Sequence, residues 1–166
     1  MIKSFDPIAA PDARVLILGS IPSRLSLEHN QYYAHPQNRF WPIMVKLFGT
    51  GDEQDYTART TMLIKARVAL WDTLQFAERS GSLDSAIVPA SEIPNDIAGF
   101  LRTHQQIHAI VFNGTKAETV FRKHTGNTIP ANRNITYLRM PSTSPANAAT
   151  SYDDKLQTWR QLNSEL

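Results

Sequence analysis

The sequence predicts an α/β fold, a three-layer α/β/α sandwich on a central, mostly parallel four-stranded sheet. Three observations favour it: four short β-branched or apolar runs, stretches with helical spacing between them, and a turn-forming or polar cluster after each run. Strands that alternate with helices indicate a parallel sheet covered on both faces. With 166 residues, 42% of them hydrophobic, the chain can bury a sizeable core, so we expect residues 1–166 to form one domain.

The predicted strands are the runs at residues 14–19, 67–74, 108–112 and 135–140. Each is short and apolar throughout most of its length, as is typical of strands buried on both faces.

The predicted helices are the segments at residues 38–48, 56–65, 93–103, 116–123 and 153–166. The last of these follows Ser151, with Asp154 three positions on, which resembles a capping box with Asp in place of Glu. A loop inside the same domain is expected at residues 49–55, which are rich in Gly and acidic residues.

Polar or turn-forming residues follow all four predicted strands. They occupy residues 19–23, 72–73, 113–116 and 141–145. Because ligands bind beyond the carboxyl ends of parallel strands, these four segments should converge on one edge of the sheet and form the functional site.

Composition excludes several classes of chemistry. The chain has no cysteine, which excludes disulfides, thiolate metal sites and a cysteine nucleophile. Seventeen basic and fifteen acidic residues leave a net charge of +2, so the protein is no polycation, although a basic face is allowed. The first twelve residues lack a secretory pattern, and no apolar run approaches the ~20 residues of a membrane helix. We therefore expect a cytoplasmic protein with no membrane association, monomeric by default.

An aromatic and polar cluster at residues 31–41 precedes and enters the first predicted helix. Phe40 and Trp41 are expected in the core of that helix. Tyr32 and Tyr33 lie in the loop before it, where an aromatic ring can stack on a nucleic-acid base, and Arg39 can reach a phosphate.

The run at residues 141–148 is uncharged and rich in Pro and hydroxyl side chains. Backbone amides and hydroxyls of such a loop can bind phosphates while its small apolar tip enters a groove, although an ordinary strand-to-helix connection has the same composition. At the end of the second predicted strand, Asp72 is either a reader of an imino N–H on a base edge or a helix cap or ion-pair partner.

Three other patterns are weak. Residues 113–116 look like the end of a phosphate loop but lack its leading glycine. Ser20 or Ser23 with His35 suggests a hydrolase pair, yet the Gly-x-Ser-x-Gly turn and an acidic partner are missing. His104 and His108 are four positions apart, but His108 opens a strand, so a metal site is not expected there.

Taken together, residues 19–23, 33–41 and 141–147 resemble the motifs of the uracil-DNA glycosylase superfamily, in the order in which that superfamily carries them. Residues 70–72 and 81–84 look like its hypoxanthine-DNA (deoxyinosine) glycosylase branch, and residues 33–41 are also similar to the mismatch-specific uracil-DNA glycosylases. The resemblance spans residues 15–148. It departs at Ile21, where uracil-excising members carry Asp or Asn, and at Met140, where the second motif often begins with His or Asn.

The resemblance implies a monofunctional DNA glycosylase of base excision repair that flips a deaminated base out of DNA and hydrolyses its N-glycosidic bond, with no metal and no cofactor. Hypoxanthine is the expected base, and uracil or xanthine are alternatives. A mismatch-specific uracil-DNA glycosylase, a noncatalytic nucleic-acid-binding module and a small-molecule hydrolase are the competing interpretations.

The resemblance also implies site residues. The residues expected at the reacting bond are Asn38, Gly19 and Ser20. Asn38 is expected to orient the water, and backbone amides near Gly19 and Ser20 are expected to stabilise the leaving base. The residues expected to hold the base are Tyr33, Asp72, Ile21, Pro22 and Ser23. Tyr33 is expected to stack on the base, and Asp72 to accept its imino N–H. Those expected to bind DNA are Arg39, Ser142, Thr143, Ser144, Pro145, Ala146 and Asn147.

Overall fold

The computed structural model describes residues 1–166 and contains seven strands. They are β1 (Ile2–Lys3), β2 (Val15–Gly19), β3 (Val68–Asp72), β4 (Leu74–Ala77), β5 (Ile93–Pro94), β6 (Ala109–Asn113) and β7 (Thr136–Met140). Four of them form the central sheet in the order β3-β2-β6-β7, and every neighbouring pair is parallel. The predicted α/β class and four-stranded sheet are confirmed.

Six α-helices connect and cover the strands. They are α1 (Arg24–His29), α2 (Phe40–Phe48), α3 (Tyr56–Lys65), α4 (Ile97–Thr103), α5 (Thr115–His124) and α6 (Tyr152–Trp159). None of them is both long and apolar enough to cross a membrane.

Alternate residues of β2 face two separate hydrophobic layers. Val15 and Ile17 pack in one cluster with residues of α2, α3 and α6, whereas Leu16 and Leu18 pack in another with residues of α4 and α5. Because successive side chains of a strand point to opposite faces, this alternation buries the central strand on both sides. The predicted three-layer arrangement follows directly from it.

The bounds of two predicted elements were wrong. The strand predicted at residues 67–74 ends at Asp72, and the chain then turns into β4, which pairs antiparallel with β1 and β5 in a small three-stranded sheet. The helix predicted at 93–103 begins only at Ile97, because residues 93–94 belong to β5 and the Asp96 carboxylate accepts a hydrogen bond from the Gly99 N–H as the helix cap.

Two further helix boundaries differ from the prediction, and one helix was not predicted. The first predicted helix starts at Phe40 rather than residue 38, and α1 was not predicted. The final helix is α-helical only to Trp159 and continues as a 3₁₀-helix over Arg160–Glu165. Its predicted cap is confirmed, since the Ser151 hydroxyl accepts a hydrogen bond from the Asp154 N–H at 3.1 Å.

The strand ends meet as predicted. Gly19 of β2 lies beside Asp72 of β3 in register, and Asn113 of β6 lies beside Met140 of β7. The polar segments that follow these four strands therefore share the carboxyl edge of the sheet.

Candidate active site

A cavity of about 370 Å³ opens at the carboxyl edge, within the size range of small-molecule sites. The predicted residues that line it are Gly19, Ser20, Ile21, Pro22, Ser23, Tyr33, Asn38, Asp72, Ser142, Thr143, Ser144, Ala146 and Asn147. Two predicted DNA-binding residues, Arg39 and Pro145, lie outside this lining. The structure thus brings together four parts of the chain that are far apart in sequence, with their assigned roles still predictions.

Asp72 and Tyr33 both lie close to Gly19 in the cavity. A Cβ atom at position 19 would lie 2.6 Å from Asp72 Oδ1 and 2.9 Å from the Tyr33 hydroxyl, so only glycine leaves room for both groups. Asp72 Oδ2 and the Tyr33 hydroxyl are the two buried side-chain polar atoms of the protein that have no hydrogen-bond partner. Because buried polar groups are normally satisfied, these two atoms indicate a position where a polar ligand belongs.

The Asp72 carboxyl is 4% exposed, and its surroundings disfavour its charge. Burial and the nearby negative charge of Asp84 raise the pKa of Asp72 to about 7, although the Arg79 guanidinium opposes the shift. Asp72 therefore changes its protonation state near neutral pH.

The Tyr33 ring is held from one side. It stacks on Phe40 with ring centroids 4.2 Å apart. Burial, followed by the Asp72 charge, raises the pKa of Tyr33, although the nearby Asn113 side chain opposes the shift, so the hydroxyl keeps its proton and remains a donor. Tyr32, by contrast, is core, because it is 4% exposed and its hydroxyl donates to the Asp6 carbonyl.

The loop after β2 is held by Arg79 and Asp84, whose contacts with it were not predicted from the sequence. The Ser20 hydroxyl donates to Asp84 Oδ1 at 2.7 Å, and the Arg79 guanidinium donates to the Pro22 carbonyl at 2.7 Å. Ser23 caps α1 by accepting from the Ser26 N–H. The backbone N–H of Ser20 donates to no protein group, which leaves it available to a ligand.

Asn38 lies at the start of α2 and lines the cavity. Its Oδ1 atom accepts a hydrogen bond from the Phe40 N–H at 2.9 Å, whereas its Nδ2 atom has no partner within the protein. The side chain is therefore fixed by the helix end and still has a free donor and a second lone pair on Oδ1.

The Pro-Ser loop, residues 141–147, is held in shape by its own side chains. The Ser142 hydroxyl accepts from the Ser144 N–H, and the Asn147 amide donates to the Ser142 carbonyl. Asn113 binds Thr143 twice, donating to its hydroxyl at 2.9 Å and accepting from its N–H at 3.0 Å. These bonds preorganise the loop over the end of β6.

Two weaker interpretations do not match the contacts. Lys116 forms an ion pair with Glu92 at 3.1 Å, and Gly114, at φ +93°, packs against Ser142, so residues 113–116 support the Pro-Ser loop and form no phosphate loop. The His35 ring nitrogen accepts from the Gln37 N–H and contacts neither serine of the imagined hydrolase pair. No group of three or more His, Asp or Glu side chains is close enough to hold a metal ion.

A buried cation lies beneath the Pro-Ser loop. Lys155 of α6 is 4% exposed, and its ammonium donates to the Ser144 carbonyl at 3.3 Å with no carboxylate partner. Burial, with a smaller effect from Arg39, lowers the pKa of Lys155. Arg39 itself lies over the Tyr152 ring, 5.6 Å from its centroid. No sequence pattern singled out Lys155, because its place depends on how α6 packs.

Comparison with known proteins identifies the family. The sequence profile of the Uracil DNA glycosylase superfamily matches residues 7–163. The chain belongs to this superfamily. The predicted family and its enzyme class, the DNA glycosylases, are confirmed.

Two relatives in the superfamily are named hypoxanthine DNA glycosylase. The one from Methanosarcina acetivorans is 34% identical over 151 residues, 89% of each chain. The one from Methanosarcina barkeri is 29% identical over 116 residues, 69% of this chain and 72% of the relative.

A solved structure supports the same fold. The solution NMR structure of a Methanosarcina acetivorans protein, described as a candidate uracil DNA glycosylase, matches with a TM-score of 0.77 and 29% identity. The match covers 98% of this chain and 99% of that one.

Proposed function

We propose that this superfamily member excises hypoxanthine from deoxyinosine in DNA, as a monofunctional glycosylase, and that uracil is a second substrate. The observation that carries the proposal is the buried Asp72 carboxylate, whose Oδ2 atom has no protein partner inside the cavity. An ionised carboxylate only accepts hydrogen bonds, and hypoxanthine offers it the N1–H donor. The names of the two Methanosarcina relatives support the same base.

The reaction requires the target base to leave the DNA duplex. A base within a stacked duplex cannot reach a cavity at a sheet edge, so the nucleotide must be extruded into it. Water oxygen then forms a bond to C1′ of the sugar, and the C1′–N9 bond breaks with its electron pair going to the base. One water proton finally resides on the departing base, leaving an abasic sugar.

Asn38 is our candidate for orienting that water. It is held by the Phe40 N–H and lines the same cavity as Asp72. Because an amide is not a true base near neutral pH, it positions water without taking its proton, and turnover should be slow. The free Ser20 N–H is suited to stabilise negative charge that develops on the base.

The Pro-Ser loop is the candidate DNA contact. Its hydroxyls and amides can position the backbone, and the tip at Ala146 and Asn147 can fill the gap left by the extruded base. The buried Lys155 ammonium gives this loop a positive charge that no carboxylate neutralises. The predicted single domain, monomeric state and cytoplasmic location stay predictions.

Lys155→Met should weaken binding to lesion DNA and flatten its salt dependence. The substitution keeps the long apolar stem and removes the charge, so the slope of log affinity against log salt should fall by up to about 0.9. Titrations of a labelled duplex at several salt concentrations measure it. Lys65→Met is the matched control, since exposed Lys65 ends α3 next to the opposite edge of the sheet. An equal slope for both variants contradicts a contribution of Lys155.

The proposed function is tested with oligonucleotides that carry one deoxyinosine or one deoxyuridine, single-stranded and duplex, with protein in excess. Alkali converts each abasic product into a strand break, which a denaturing gel reveals. We expect breaks at deoxyinosine. Breaks only at deoxyuridine would place the protein with the mismatch-specific uracil group, and breaks at neither would favour a noncatalytic DNA-binding module.

A further inference from the structure

The two unpartnered polar atoms of the cavity form a donor–acceptor pair. The Tyr33 hydroxyl is a donor, because its raised pKa keeps it protonated, and the ionised Asp72 carboxylate is an acceptor. The other oxygen of the same carboxylate, Asp72 Oδ1, and the Tyr33 hydroxyl lie 2.6 and 2.9 Å from where a Cβ of Gly19 would be. They are therefore close enough to bind two adjacent atoms of one ligand.

We propose that Tyr33 is a specificity residue and that its hydroxyl, paired with Asp72, reads the N–H and C=O edge that deamination creates in a base. The inference rests on the proposed function. Tyr33 donates to the carbonyl oxygen, and Asp72 accepts from the adjacent ring N–H. The sequence alone suggested only stacking for Tyr33, yet one face of its ring is covered by Phe40 and its hydroxyl is buried without a partner.

The pattern of hydrogen-bond donors and acceptors distinguishes a deaminated base from the normal base it came from. Adenine presents a lone pair at N1 and an amino group at C6, whereas hypoxanthine presents N1–H and a carbonyl. Cytosine and uracil differ in the same way at N3 and C4. A carboxylate facing the adenine or cytosine lone pair is repelled, and buried polar groups left unpaired reject a ligand strongly. One pair of side chains therefore recognises both deaminated products.

Tyr33→Phe tests the assignment because it removes only the hydroxyl and keeps the ring on Phe40. We expect the single-turnover rate on deoxyinosine to fall about 10-fold, the effect of one lost hydrogen bond in a dry site. On 6-thiodeoxyinosine, whose sulfur accepts hydrogen bonds weakly, the same substitution should change the rate less than about 3-fold. Tyr137→Phe, which alters a tyrosine packed against Phe112 outside the cavity, should change neither rate.

The outcomes separate this inference from the proposed function. Equal losses on the two substrates would show that Tyr33 acts through packing, and no loss on deoxyinosine would show that its hydroxyl does not read the base. Either result overturns the inference while the parent enzyme remains a hypoxanthine glycosylase. Absence of base release by the parent protein overturns the proposed function itself.

Discussion

Asp72→Leu should lower the single-turnover rate on deoxyinosine by about 100-fold at pH 8, the expected loss when a charged hydrogen-bond acceptor disappears from a buried site. Leu keeps the branching at Cγ, with two bulkier methyl groups, and leaves the N1–H of hypoxanthine without a partner. A stopped time course with protein in excess measures the rate free of product release. A variant that retains the full rate would exclude Asp72 from base recognition.

The pH dependence of the same rate reports the state of Asp72. Only the ionised form accepts the N1–H, and the pKa of Asp72 is raised to about 7 by burial and by Asp84. The parent rate should therefore fall about 10-fold per pH unit below pH 7 and level off above it. Asp72→Asn should have a flat profile. Asp84→Asn, which removes the like charge, should move the midpoint to lower pH. A rate that rises as pH falls would show that the protonated carboxyl is the active form.

Thermal unfolding checks whether these variants fold. The folded-state pKa of Asp72 lies above the unfolded value, so ionisation between about pH 4 and 7 destabilises the native state. At pH 8 the parent carries that buried charge, and Asp72→Leu and Asp72→Asn do not. Asp72→Asn, which keeps the volume of the side chain, should melt at a higher temperature than the parent at pH 8, an exchange of activity for stability that is common at functional sites.

The sheet and its functional edge could be predicted because both depend on short-range pattern. Buried strands such as Val15–Gly19 are continuous apolar runs, and the carboxyl ends of parallel strands necessarily share an edge. The errors lie where tertiary pairing overrides local pattern. The local pattern predicts that Ile93 and Pro94 begin a helix, but they pair with β4 in the small antiparallel sheet.

The details of the site could not be predicted because they depend on contacts between distant residues. The hydrogen bond from Ser20 to Asp84 spans 64 positions, and no spacing rule connects them. Lys155 looks like a solvated residue of a polar helix, and only the packing of α6 under the Pro-Ser loop buries it. The Tyr33 hydroxyl and Asp72 can both lie close to position 19 only because Gly19 has no side chain.

Asn38→Ala should lower the single-turnover rate on deoxyinosine by about 100-fold, as removal of one positioned polar group commonly does. Alanine can neither accept from nor donate to the attacking water. It also removes the hydrogen bond to the Phe40 N–H, so a loss of about 1 kcal/mol of stability accompanies it. Rates and denaturant unfolding curves must therefore be measured on the same variants.

Two further variants separate the effect of Asn38 on the reaction from the effect of losing one hydrogen bond at the start of a helix. Asp55→Ala removes the carboxylate that accepts from the Ala58 N–H at 2.7 Å as the cap of α3, and it should lose similar stability with an unchanged rate. Asn38→Asp keeps an acceptor for Phe40 and gives water a carboxylate, so it should fold like the parent and retain most of the activity. If Asn38→Ala slows the reaction no more than Asp55→Ala does, Asn38 only accepts the hydrogen bond from the Phe40 N–H at the start of α2, and the water is oriented elsewhere.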